Sequence, residues 1–111
     1  MNQGDVYWCN FHPPDKRRPV LILTRNSAIS FLSGITVAPL TTRIRDIPTE
    51  VVLAPKTDGV PAECAVNGDN IQTVQKDSLD DYLTTLSPAR MRQVASAIEF
   101  ALGFAALRQK Q

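Results

Sequence analysis

The side chains of this sequence best equipped for chemistry are arginines set beside hydroxyls at the ends of apolar runs. Arg17-Arg18-Pro19 leads into Val20-Leu21-Ile22-Leu23, and Leu40-Thr41-Thr42-Arg43-Ile44-Arg45 closes a second such run that starts at Ile35. Pro19 fixes its own φ and biases Arg18 toward extended backbone, so a guanidinium is held at the mouth of a strand. Its planar fork of donors fits a phosphate better than any other group in the chain. Arg18 is therefore the centre of a candidate phosphate site, and Thr41 can donate a further hydrogen bond to a non-bridging oxygen.

Missing residue types narrow the chemistry. His12 is the one histidine, which excludes a ribonuclease with paired histidines as acid and base. No His, Asp and Glu group has metal-ligand spacing, and Asp80-Asp81 reads as a solvated turn. There is no P-loop or Gly-rich dinucleotide motif, and none of the serines has a nucleophile-elbow context. The expectation is phosphate chemistry centred on arginine, with neither metal nor cofactor. It suffices where the substrate brings its own nucleophile: an RNA 2′-hydroxyl can attack the adjacent phosphorus while the protein holds the geometry and stabilises charge on the phosphoryl oxygens.

Such a site needs a rigid frame, and the composition provides for one. With 111 residues, 43% hydrophobic and 21% charged, the chain reads as a single domain over residues 1–111. The first residues lack the basic start and apolar run of a signal peptide, and no stretch is long enough to span a bilayer, so a cytoplasmic protein is expected. Cys9 and Cys64 have no CxxC spacing and read as buried free thiols. The net charge of +1 hides an asymmetry: residues 16–45 hold six basic side chains and no acid, while residues 51–111 hold six basic and seven acidic ones. A basic first half suits an anionic partner, although a solvated face can also carry such a run.

The framing elements follow from pattern. Strands are expected over residues 4–11, 18–24, 35–39, 49–53, 63–66, 71–74 and 82–86. Consecutive prolines make residues 12–16 a turn. Residues 25–34 leave the sheet with one helical turn, residues 54–61 form a loop rich in Pro and Gly, and residues 76–79 form a brief helical turn. Asn67-Gly68 signals either a two-residue hairpin or a bulge. The long helix starts at Ser87, with Pro88 in its first turn and Met91, Val94, Ile98 and Leu102 at helical spacing. Arg90 stands where a capping box would have Glu or Gln. Phe100, Phe104 and Leu107 widen its apolar face beyond one stripe, which suits a partner chain. Short strands at this spacing predict a small, mainly β barrel with a C-terminal helix.

Gly4-Asp5-Val6-Tyr7-Trp8, the run from Arg17 to Leu23, and Pro39-Leu40-Thr41-Thr42-Arg43-Ile44 resemble the three N-terminal signatures of the MazF/PemK toxins, most of all the mycobacterial type. Asn67-Gly68-Asp69-Asn70-Ile71-Gln72-Thr73 and the C-terminal helix fall in matching order. The resemblance implies a barrel of the CcdB/PemK type related to the SH3 fold, a homodimer, and an antitoxin whose disordered tail blocks the RNA groove. It also implies sequence-specific, metal-independent endoribonuclease cleavage of single-stranded RNA, leaving 2′,3′-cyclic phosphate and 5′-hydroxyl ends. Arg18 and Thr41 carry over as catalytic. Thr42, Arg17, Arg43, Arg45, Asn67 and Asp69 carry over as candidate RNA contacts. Two departures stand out: Asn67 replaces a catalytic arginine of one member, and residues 11–16 form a shorter loop than the Gly-containing one of many relatives. Trp8 reads more simply as a core or interface aromatic, and Arg17 and Arg45 as solvated charges.

Two other readings compete. A gyrase inhibitor of the CcdB type shares the fold but acts through a C-terminal tryptophan, whereas the one tryptophan here is Trp8. An RNA-binding barrel without catalysis would keep the same arginines.

Overall fold

The strand at the centre of the molecule is β3 (Gly34–Thr41), which has neighbours along its whole length. The computed structural model describes residues 1–11 and 16–108. The turn expected from His12 onward therefore lies largely outside the described residues, as does any role for His12 itself. Among the described residues seven strands form the antiparallel framework: β1 (Asp5–Cys9), β2 (Arg18–Ile22), β3, β4 (Glu50–Leu53), β5 (Cys64–Asn67), β6 (Gln72–Gln75) and β7 (Leu79–Thr85); six follow the order β4-β5-β3-β2-β1-β7, and β6 pairs with β3 off that path. The chain is mainly β with helices, as expected. No helix among the described residues is long and apolar enough to cross a membrane.

One edge of β3 pairs with β2; the other is shared, with β6 on Gly34 to Val37 and β5 on Leu40 and Thr41. Between those two ladders the five residues 67–71 face only Ala38 and Pro39. Asn67-Gly68 is thus a bulge along one edge, and no hairpin joins β5 to β6. Pro39 explains why the bulge is tolerable. The Thr36 carbonyl accepts from the Leu23 amide on the β2 side, so by alternation Pro39 turns its nitrogen, which has no proton to donate, toward the bulge. Thr41 is the last residue of β3; the strand outruns the expected 35–39.

Alternation gives the sheet two apolar faces. Val6, Leu21, Ala38 and Leu40 pack with Val94 and Ala97 of the long helix α3 (Pro88–Ala101). Cys9, Val20, Ile22, Ile35 and Val37 pack with Ile29 of the short α1 (Asn26–Ile29), and Tyr7, Phe11, Val74 and Leu79 border them. Leu21 is fully buried, and truncation to alanine there costs about 2–5 kcal/mol. Both cysteines are buried free thiols; burial pushes Cys64 up to about 11.

Three expectations need correction. Part of the loop at residues 54–61 is a helical turn, α2 (Pro55–Asp58), with proline in its first turn, the Asp58 carboxylate accepting from the Ala54 amide, and Gly59 closing it at φ 77°. Asp80-Asp81 lies inside β7 rather than in a solvated turn. The C-terminal helix is two pieces: Gly103, at φ 75°, ends α3, and Phe104 and Leu107 belong to α4 (Phe104–Arg108). Ser87 caps α3 as expected, its Oγ accepting from the Arg90 amide at 3.1 Å. The Arg90 side chain is free of capping duty because it grips Asp58 of α2, with Nε on Oδ1 at 3.0 Å and a terminal nitrogen on Oδ2 at 3.2 Å.

Candidate functional site

Successive residues of a strand point to opposite faces, and this separates Arg17 from Arg18. Arg18 shares a face with Val20 and Ile22 and is half-buried. Its guanidinium carbon lies 5.9 Å from the centre of the Phe11 ring, within reach of a cation–π attraction. Arg18, Phe11, Pro39, Asn70 and Gln72 line one small hollow. Arg18 makes no ion pair among the described residues.

Thr41 lines a second hollow with Arg43, Arg45 and Asn67. The Arg43 amide donates to Thr41 Oγ1 at 3.1 Å. That bond fills a lone pair and leaves the hydroxyl proton for another acceptor. Arg43 also has no ion-pair partner among the described residues. The two hollows lie along the same end of β3, Pro39 lining the first and Thr41 the second; the β2–β3 ladder ends at Val20 opposite Pro39, and its register extended by two residues runs toward Arg18 and Thr41. The bulge serves both, giving Asn70 to the first and Asn67 to the second.

The bulge is itself braced. Asn67 Oδ1 accepts from the Asp69 amide at 3.0 Å, and the Gly68 amide donates to the Thr49 carbonyl at 2.9 Å. A β-carbon at position 68 would sit 2.5 Å from that carbonyl oxygen, so only glycine fits. The Asp69 carboxylate accepts from Thr49 Oγ1 at 2.6 Å, which ties it to the entry of β4. Thr42 is exposed next to Thr41.

The remaining candidate arginines have other partners. Arg17, on the reverse face, reaches Asp80 at 3.0 Å and Asp81 at 2.7 Å and stacks 4.7 Å over the Trp8 ring. The Arg17 hydrogen bond, helped by the Asp81 amide and Asn10, holds the Asp80 carboxyl at about 2. Arg45 gives both its amide and Nε to the buried Glu50 carboxylate, at 2.9 and 3.0 Å. Among the described residues, the charge of the site that lacks a carboxylate partner thus comes from Arg18 and Arg43. Phe11, Asn70 and Gln72 were not among the sequence candidates. Gln72 and Asn70 are placed by a register that no local motif encodes, and Phe11 stands just outside β1.

This arrangement can hold an extended phosphodiester: two cations without carboxylate partners among the described residues, a hydroxyl ready to donate, three amide side chains and one aromatic ring. Among the described residues no group of three or more His, Cys, Asp or Glu side chains is placed to hold a metal ion.

Comparison with known proteins agrees in family. Residues 2–102 match the PemK-like, MazF-like toxin of type II toxin-antitoxin systems. A probable endoribonuclease MazF5 of Mycobacterium tuberculosis is 41% identical over 100 residues, spanning 90% of this chain and 91% of the relative. An endoribonuclease MazF of Staphylococcus saprophyticus is 30% identical over 115 residues, spanning 97% and 96%. A solved endoribonuclease in complex with its cognate antitoxin, from a mycobacterial species, superposes with a TM-score of 0.81 at 36% identity, covering 93% of this chain and 95% of that one.

Proposed function

The chain belongs to the PemK-like, MazF-like toxins of type II toxin-antitoxin systems, and from that premise we propose that it is a cytoplasmic endoribonuclease toxin acting on single-stranded RNA without a metal. The observation that carries this reading is a pair of arginines with no carboxylate partner among the described residues, Arg18 in one hollow and Arg43 beside the Thr41 hydroxyl in the next. A phosphate-binding site of donors alone has no need of a protein nucleophile if the RNA 2′-hydroxyl attacks its own 3′-phosphorus. The bond to the 5′-oxygen of the next nucleotide then breaks, leaving a 2′,3′-cyclic phosphate and a 5′-hydroxyl.

In this mechanism the Arg18 fork meets the non-bridging oxygens as charge builds on them, and Thr41 donates to one of them. Donors fixed in advance cost no reorganisation at that moment, and each is commonly worth about 3–4 kcal/mol of barrier. Phe11 offers a ring for an unstacked base, and the Asn70 and Gln72 amides offer donors and acceptors for its edge. Arg43, Asn67 and Thr42 follow the backbone on the other side of the bulge. The mycobacterial relative solved with its cognate antitoxin supports an antitoxin as natural partner. Exposed Phe100, Leu102, Phe104 and Leu107 on α3 and after it support a homodimer.

The test is incubation of purified protein with total RNA in EDTA, followed by mapping of the ends. Discrete cuts leaving 5′-hydroxyl ends, absent with Arg18→Ala, are expected. Intact RNA under these conditions overturns the reading in favour of a toxin of this fold that inhibits a protein target or binds RNA without cutting it.

A further inference from the structure

Phe11 and Arg18 meet in the same hollow, yet the backbone ladder between their strands ends short of both flanks. Cys9 opposite Arg18 is the last rung between β1 and β2. Asn10 and Phe11 on one side, and Arg17 on the other, lie beyond it. Among the described residues these flanks are bridged by one carboxylate on β7, beside the Asn10 amide that donates to the Ser78 carbonyl at 2.9 Å. Asp80 Oδ2 accepts from Asn10 Nδ2 at 2.9 Å, and Asp80 Oδ1 accepts from a terminal nitrogen of Arg17 at 3.0 Å. Arg17 is further held by Asp81 at 2.7 Å and by the Trp8 ring. Asp80 is itself set by register, since the preceding Leu79 pairs with Cys9.

We propose that Asp80 is a positioning residue for the RNA site: by binding Asn10 and Arg17 on the reverse face, it fixes the chain neighbours that carry Phe11 and Arg18 into the hollow. The carboxylate takes the place of the missing rung. Because neighbours in an extended chain project to opposite faces, a clamp behind the sheet sets the pose of the pair in front without entering the hollow. Both members of the ion pair are substantially exposed, with side-chain exposures of 41% for Arg17 and 38% for Asp80. Pairs this exposed contribute little to stability, so stability gives little account of the cluster and position gives a better one. The inference rests on the endoribonuclease reading for its kinetic consequence, but not for its geometry.

The experiment uses the whole chain in four forms: wild type, Arg17→Ala, Asp80→Ala and the double variant. Each single change is expected to lower kcat about tenfold through a misplaced guanidinium, with KM, its salt dependence and the melting temperature nearly unchanged. The double variant should be no slower than either single one, since both break one clamp. An unchanged kcat in Asp80→Ala, or losses that multiply, overturns the proposal. So does tighter RNA binding with a steeper salt dependence in Asp80→Ala, which would make Arg17 an RNA contact that Asp80 restrains. NMR of the Arg18 Nε–H group and the Phe11 ring decides independently of cleavage. Both signals should shift and broaden in Asp80→Ala while β3 amides stay put, and unchanged signals refute the clamp. Failure of wild type to cut any RNA would count against the activity, with the NMR result still deciding the clamp.

Discussion

The end of the sheet that carries Arg18 and the junction between α2 and α3 use the same side chain in opposite ways. At the junction Arg90 meets Asp58 through two hydrogen bonds, and the carboxylate also accepts from the Ala54 amide and Thr57 Oγ1. The Asp58 side chain is 3% exposed, and both of its carboxylate oxygens accept hydrogen bonds. At the sheet end Arg18 is half-buried against Phe11 with no carboxylate partner among the described residues. An arginine given a carboxylate by the fold fastens two elements together. One denied a carboxylate keeps its donors for an anion that arrives from outside.

The sharpest way to break that contrast is to remove each arginine function in turn. Arg18→Ala should raise the cleavage barrier by about 3–4 kcal/mol, a loss of 10²- to 10³-fold in rate. Its melting temperature should stay close to wild type, because among the described residues the Arg18 guanidinium holds only an aromatic contact. A fast Arg18→Ala enzyme, measured on a defined RNA, would erase the distinction between the two regions.

Asp58→Ala should do the reverse. Breaking a buried pair costs about 3–5 kcal/mol; with Arg90 partly in water, about 2–3 kcal/mol of stability is the expected loss, and RNA cleavage below the new melting point should persist. The pH dependence sharpens the point. Burial pushes the Asp58 carboxyl up, but hydrogen bonds from Arg90, the Ala54 amide and Thr57, with the Arg90 charge, outweigh it and hold the group below its usual value. A carboxyl depressed on folding contributes its stability above about pH 4, and that share fades as the pH falls through the folded value. Asp80 titrates low as well, so the informative quantity is the difference: melting curves of wild type and Asp58→Ala should converge as the pH drops toward 2. Parallel curves would show that the pair contributes nothing.

The same contrast explains what could be read from the sequence. Arg18 was legible because Pro19 and the apolar run fix its backbone locally, and Ser87-Pro88 announced α3 for the same reason. Most of the strands were legible from their β-branched and aromatic residues. The fate of Arg17, Arg45 and Arg90 was less legible, because carboxylates decide it and three of these are far away in sequence: Asp80 and Asp81 lie more than 60 residues from Arg17, and Asp58 lies 32 from Arg90. Glu50 is only five residues from Arg45, yet it engages only because the chain turns back into β4 with Glu50 buried. Asn70 and Gln72 reach the Arg18 hollow through a bulge whose length, five residues against two, depends on strand pairing rather than on local preference. The break at Gly103 was hidden by an apolar pattern that runs on through Leu107 without changing period.

Arg43 and Arg45 offer the smallest and most discriminating comparison, since they stand two residues apart and line the same hollow. Arg43 has no carboxylate partner among the described residues, so a bound phosphate there should release about one counterion; Arg43→Ala is expected to weaken RNA binding modestly for all sequences and to flatten the salt slope by about one. Arg45 already gives Nε to a Glu50 side chain that is fully buried. Arg45→Ala should therefore leave the salt slope nearly as it was and appear as a lower melting temperature, because Glu50 would keep only one backbone donor. Titrating binding to an uncleavable single-stranded RNA between low and moderate salt separates the two variants. If Arg45→Ala flattens the slope as much as Arg43→Ala does, the Glu50 pair opens when RNA binds, and an arginine can serve the fold and the ligand in succession.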